Sequence, residues 1–314
     1  MATLAGRLLI DGIDAYNNYG LFVKYGGLNG LIAMPSFKAI DTYDWHEEDG
    51  LEADLSAPLL DGRQFTLNFG ISHPDAESEA QVLLSDLASQ VYHTLHIPWL
   101  GRTYTVRYVS NGSFAQNARF DTLSLTFAED AVTIPTVAVP TQETGISMGY
   151  FIDDADFALY GCTVVKGTRD SFLKFAATKE ALKRSVSTLS GIIYDSGDTV
   201  RLKSRDITVK LHIRTHDVPT FWERWYALWN AVLAPEARTI EGDGMTFQCY
   251  YKSNAVQKFM PTIEGGVWCD FSITFAVLAY SCGDEWFYLA LQDGTPVTFE
   301  DWDGVSDPTY VRIR

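Results

Sequence analysis

The run Asp41-Thr42-Tyr43-Asp44-Trp45-His46-Glu47-Glu48-Asp49 sets five carboxylates beside a tryptophan and a histidine. From such a set a general acid and base pair could be drawn. An exposed acidic arm accounts for the same residues more simply, and we read it so. His93 and His96 lie close together, as do His212 and His216, but neither pair has a Cys or carboxylate at ligand spacing in a recognisable framework, so no metal is expected. Asp301-Trp302-Asp303-Gly304 with Asp307 echoes part of a calcium loop but lacks the closing bidentate Glu, and reads as a solvated turn. Cys162, Cys249, Cys269 and Cys282 show no CxxC spacing and read as buried apolar thiols. No GxSxG, HExxH, P-loop or GxGxxG stands in its required strand and helix context. The sequence therefore predicts no catalytic residues, no cofactor and no metal. Trp222, Trp225 and Trp229 recur at i, i+3 and i+7, spacing that could stack sugars but that on an apolar helix face signals core.

The chain has 314 residues, 40 of them acidic and 24 basic, for a net charge of −16. That balance argues against a general nucleic-acid clamp, because neutralising phosphates needs a cationic field. With 46% hydrophobic residues the chain can fill cores and is not wholly disordered. No apolar run approaches the ~18 to 20 residues of a membrane span, and Met1 to Ile10 lacks a long apolar stretch with a cleavage site, so synthesis in the cytoplasm is expected. The charge is uneven. Residues 1–141 carry 17 acidic and 7 basic side chains, 142–280 carry 16 and 15, and 281–314 carry 7 and 2.

The sequence also repeats. Ile10-Asp11 with Tyr19-Gly20 returns as Ile152-Asp153 with Tyr160-Gly161. The segment Leu60 to Phe69 matches Leu202 to Leu211 at the same offset of 142, and Leu123-Ser124-Leu125-Thr126-Phe127-Ala128 matches Phe271-Ser272-Ile273-Thr274-Phe275-Ala276 at 148. Colinear matches at a nearly constant offset predict a tandem duplication. The expected organisation is copy one at 1–132, a Pro/Thr-rich linker at 133–145, copy two at 146–280 and a C-terminal extension at 281–314, whose aromatics suggest short packed strands.

Each copy reads alike, as a mainly β unit, a sandwich or barrel, with one helix. A strand pair is expected around the Tyr-Gly turn, including Leu21-Phe22-Val23 and Thr163-Val164-Val165. An arm of about 40 residues leads to a period-two strand, Phe65 to Ile71 or Ile207 to Ile213. A helix follows. In copy one Pro74 opens it and Val82, Leu83, Leu87, Val91 and Leu95 form its stripe; in copy two Asp217 caps it ahead of Phe221, Trp225, Leu228 and Val232. Two strands close each copy, with Leu67, Phe69, Leu125 and Phe127 buried like Val209, Leu211, Ile273 and Phe275.

This order of parts resembles the tail-tube fold of phage tail tube, distal tail and baseplate hub proteins. The carrying residues are Leu9-Ile10-Asp11-Gly12-Ile13-Asp14 with Tyr19-Gly20-Leu21, the long arm, Asp61-Gly62-Arg63 before a strand, one helix, and the Leu-Ser-Leu-Thr-Phe strand. Many distal tail proteins follow one tube domain with a carbohydrate-binding-like domain, whereas this chain repeats the tube-like part. The resemblance implies a non-enzymatic virion protein of a phage or prophage tail, forming a ring round a DNA channel with other tail proteins as partners. It implies six domains per ring, so a doubled chain would close as a trimer, although a hexamer of chains is the other arrangement. Residues 24–62 hold 8 acidic and 2 basic side chains, and 166–204 hold 4 and 8. An acidic arm beside a basic one attracts, which makes Asp44, Glu47, Glu48, Lys179, Lys183 and Arg184 the candidate interface residues. The competing reading is a pair of carbohydrate-binding modules for adhesion.

Overall fold

The computed structural model describes residues 4–279, apart from 73–74, 113, 118, 143, 181–182, 189, 195–199 and 263–264, together with two short strands near the C-terminus. The fold is mainly β. The first half runs β1 (Leu9–Ile10), β2 (Ile13–Asp14), α1 (Ala15–Tyr19), β3 (Leu21–Val23), α2 (Asn29–Ile32), β4 (Thr42–Tyr43), β5 (Glu52–Ala53), β6 (Arg63–Ile71), α3 (Ala76–Ala88), β7 (His93–Ile97), β8 (Arg102–Asn111) and β9 (Asp121–Glu129). The second runs β10 (Phe151–Ile152), β11 (Ala155–Asp156), a 3-10 turn (Phe157–Tyr160), β12 (Cys162–Val164), α4 (Thr168–Phe172), β13 (Lys183–Arg184), β14 (Ile193–Tyr194), β15 (Asp206–Thr215), α5 (Val218–Val232), β16 (Arg238–Gly242), β17 (Met245–Pro261) and β18 (Val267–Ala279). The two sheets have the same order, β2-β1-β7-β8-β9-β6-β3 and β11-β10-β16-β17-β18-β15-β12.

The aligned segments occupy matching registers. Leu67 lies opposite Leu125 and Val209 opposite Ile273. One residue away, the hydroxyls of Thr66 and Thr126 meet at 3.0 Å and those of Thr208 and Thr274 at 3.1 Å. Alternation sends Phe65, Leu67 and Phe69 inward, and the eight core positions expected from sequence are all buried. β8 changes partner midway, pairing first with β7 and then with β9, and β17 does the same between β16 and β18. This carries each sheet round a corner so that it curls over its own helix. On α5 the Asp217 carboxylate accepts from Thr220 N at 2.7 Å, and Phe221, Trp225, Leu228, Trp229 and Val232 face the core. Trp225 meets Phe271 at 4.8 Å and Trp229 meets Tyr251 at 5.2 Å.

Three local expectations are corrected. The Tyr-Gly pair does not turn between two strands. Asp14 caps α1 by accepting from Tyr16 N at 2.9 Å, α1 ends on Gly20 at φ +62°, and β3 then pairs with the distant β6. The left-handed region is open to glycine without a Cβ penalty, and Gly161 does the same at φ +70°. The expected stripe on the first helix is only partly realised: α3 ends at Ala88, buries Ala76, Ala80, Leu83 and Leu87, and leaves Val82 exposed. Val91 is exposed beyond the helix, and Leu95, His93 and His96 belong to β7. Finally, α1, α2 and α4 add short helices to the one long helix of each half. Pro74 lies outside the described residues.

Both sheets belong to one compact unit, Met1–Ala279, and Tyr280–Arg314 form a second. Its described part is β19 (Phe287–Tyr288) antiparallel to β20 (Arg312–Ile313). The remainder of the extension, including Asp301 to Asp307, lies outside the described residues.

Asp11 ties the N-terminal hairpin to β7. At φ +50° its Oδ1 accepts from Thr94 N at 2.7 Å while its Oδ2 lies 2.7 Å from Nδ1 of the buried His93. Asp153, at φ +47°, accepts from Thr239 N in the same way. Burial pushes the Asp11 carboxyl up, but the bonds from His93 and Thr94 outweigh it and hold the pKa below the ordinary value. A depressed carboxylate contributes stability that is full above its unfolded pKa of about 4 and is lost as pH falls through the folded value. Asp11→Asn should therefore be less stable than wild type near neutrality, with the gap narrowing as pH drops below about 4 in urea melts. A constant gap at every pH would contradict this linkage.

Candidate assembly surface

The described residues bring no three His, Cys, Asp or Glu side chains together at metal-binding range. His212 pairs with Asp270 at 2.6 Å, and His96 bonds Thr103 at 2.8 Å. Cys162, Cys249 and Cys269 are buried and free, with burial pushing each thiol up. Cys282 lies outside the described residues. The tryptophan stripe is core, so it offers no open stacking platform. No helix among the described residues is long and apolar enough to cross a membrane.

What the fold does build is a joint between its halves. The first arm leaves its own sheet and lies on the second. Asn29, at the start of α2, donates from Nδ2 to Gln257 O at 2.8 Å and accepts from Phe259 N at 3.0 Å, so one amide side chain satisfies both backbone groups of β17. The Phe37 ring packs edge-on to Tyr251 at 5.6 Å, and Trp99 stacks on Phe259 at 6.0 Å. From the other side, Trp222 donates to Leu100 O at 2.9 Å while the Arg102 guanidinium covers its ring at 4.5 Å.

The hairpin β4–β5 forms the tip of this arm. Leu51 N donates to Leu278 O at 2.7 Å, Gly50 N to Leu202 O at 2.8 Å, and Leu202 N to Asp49 Oδ1 at 2.6 Å. Gly50 sits at φ +81°, and a Cβ there would collide with the Leu278 carbonyl, so both backbone angle and close approach require glycine. Beside it a cleft of about 300 Å³ is lined by Tyr43, Trp45, Glu48, Glu52 and Lys179.

The candidate interface residues are placed unequally. Asp44 forms an ion pair with Lys179, whose side chain is only 6% exposed and whose Nζ also donates to Trp45 O at 2.6 Å. Arg201 approaches Asp49 at 3.8 Å. The acidic and basic arms thus meet within one chain. Glu47 and Glu48 stay exposed, Lys183 lies 3.4 Å from Glu180, and Arg184 is exposed on β13. Asn29, Gly50, Tyr251 and Phe259 are joint residues that the sequence reading missed. The arm charges were the signal, but nothing local marks which strand an arm will cover.

No family model matches the chain, and no curated protein matches it. Among solved structures it is similar to the crystal structure of SPP1 Dit (gp 19.1), described as a paradigm of hub adsorption apparatus in Gram-positive infecting phages. The match covers 86% of this chain and 98% of that one, at 12% identity and a TM-score of 0.31.

Proposed function

We propose that this protein is a non-enzymatic structural component of a phage or prophage tail, of the distal-tail or baseplate-hub kind, forming a ring around the DNA channel. The observation that carries the reading is the arm of the first half seated on the sheet of the second. A joint that links one unit to the next in a single direction, repeated between chains, closes into a ring when its rotation permits. The matching strand orders support treating the halves as two copies of one tube-like domain, with copy one at 1–132 and copy two at 146–280. Three chains then supply six domains. A surplus of carboxylates suits a wall along which DNA slides without sticking. Other tail proteins are the partners, DNA passes only as cargo, and the finished ring belongs to the virion tail after assembly in the bacterial cytoplasm. Native mass spectrometry with negative-stain imaging tests this. Rings of three chains with a central hole are expected, and a monomer at all concentrations, or six chains in one layer, would refute the trimer.

A further inference from the structure

The first arm has a seat within the chain, and the second arm repeats its construction. Lys24 N donates to Asn68 O and Val165 N to Lys210 O, both at 2.9 Å. Lys38 N donates to Leu59 O at 2.8 Å as Lys179 N does to Arg201 O at 2.7 Å. Asp61 N reaches Ser36 O at 3.0 Å as Lys203 N reaches Ala177 O at 2.7 Å. Each arm then carries a short hairpin with a positive-φ glycine two residues ahead of its second strand, Gly50 at +81° and Gly191 at +97°. Gly50 is pressed against a carbonyl, whereas none of the described residues lies within 4 Å of where a Cβ at Gly191 would sit. Next to it Ile192, Ile193 and Tyr194 are 54%, 53% and 56% exposed, and nearer the arm's root Phe175 is 94% exposed. A large apolar patch on a charged arm marks a surface that meets a partner.

The equivalences also say where the seat is. Leu51, after Gly50, donates to Leu278 O, five residues beyond Ile273 on β18. Ile273 and Leu125 hold the same register in the two sheets, so the matching carbonyl in the first half is that of Asp130. Arg201, which the first hairpin approaches through Asp49, corresponds to Leu59, and Leu59 is 65% exposed. Charge points the same way: the second arm holds 8 basic and 4 acidic side chains, and residues 1–141 hold 7 basic and 17 acidic.

We propose that the tip of the second arm, Gly191 to Tyr194, seats on the first half of a second copy of this chain, with Ile192 N donating to the Asp130 carbonyl and Ile192 covering Leu59. Lys183 and Arg184 on the same hairpin then face an acidic neighbour. The contact is head to tail and reproduces between chains the joint already made within one. It rests on the ring reading but fixes which surfaces meet.

The test uses the whole chain with Cys282→Ser, so that the remaining native thiols, Cys162, Cys249 and Cys269, are the buried ones. Ile192→Cys and Asp130→Cys chains are mixed and treated with a short bismaleimide. A covalent dimer is expected from the mixture and from neither chain alone, while the double variant should give closed covalent trimers. Ile192→Asp, at an exposed position, should keep the wild-type melt and weaken assembly at least tenfold. Cross-linking of Ile192→Cys chains alone would mean a two-fold arm-to-arm contact and overturn the proposal. Rings that form undiminished with Ile192→Asp and never cross-link in the mixture would overturn it while the ring reading stands. A wild-type monomer at every concentration would end both.

Discussion

Phe127→Ala should lower the free energy of unfolding by about 3 to 5 kcal/mol, and Phe275→Ala by a similar amount. Both rings are fully buried at matching places on β9 and β18. Phe127 has Phe65 and Tyr108 each at 6.3 Å, so truncation removes ring contacts from three strands and leaves a cavity that a sheet held by its registers does not collapse to fill. Urea melts followed by tryptophan fluorescence measure the loss. Trp222, Trp225, Trp229 and Trp268 report on the second half, so a Phe127→Ala shift in their signal would also show that the joint couples the halves. A midpoint unmoved by Phe127→Ala would remove it from the core.

The second large effect is expected at Arg63. Its Nε donates to Glu129 Oε2 at 2.7 Å, a further nitrogen donates to Ala33 O at the end of α2, and both ion-pair side chains are 12% exposed. Arg63→Met should cost about 3 to 5 kcal/mol, because Glu129 is left as a nearly buried charge without its partner. Arg63→Met with Glu129→Leu should recover most of that loss, since removing both charges removes the desolvation penalty with them. A double variant no better than the single one would show that the bond to Ala33 O, which fastens α2 to the sheet, carries the effect. Arg205 fastens α4 likewise, through Ser171 O at 2.6 Å and Phe172 O at 2.8 Å.

The core strands were legible because period-two alternation is strong where one sheet face is buried, and the internal match of Leu60–Phe69 with Leu202–Leu211 placed them in equivalent positions. α5 was legible for a related reason: the Asp217 cap and the spacing of Phe221, Trp225, Leu228 and Val232 agree on one element. α3 was less so. Its buried face is built partly from Ala76 and Ala80, which carry little hydrophobic signal, and Val91 and Leu95 continued the apparent stripe past the true end at Ala88. Tyr19-Gly20 misled because a glycine in the left-handed region ends a helix as readily as it turns a hairpin. The arm charges announced that acidic and basic arms would meet. That Asp44 finds Lys179 in its own chain depends on how one half lies on the other, which no local pattern encodes.

The joint also imposes an order on synthesis. Asn29 leaves the ribosome 228 residues ahead of Gln257, its partner on β17. At translation rates of about 5 to 20 residues per second that is a wait on the order of 10 to 45 seconds, during which the nascent first half holds a finished arm and no second sheet to cover. On a polysome the nearest sheets are the first halves of sibling chains, and these carry the same acidic arm. Like charges repel, so the carboxylates of residues 41–52 on neighbouring arms would oppose pairing between siblings before any of them meets a lysine.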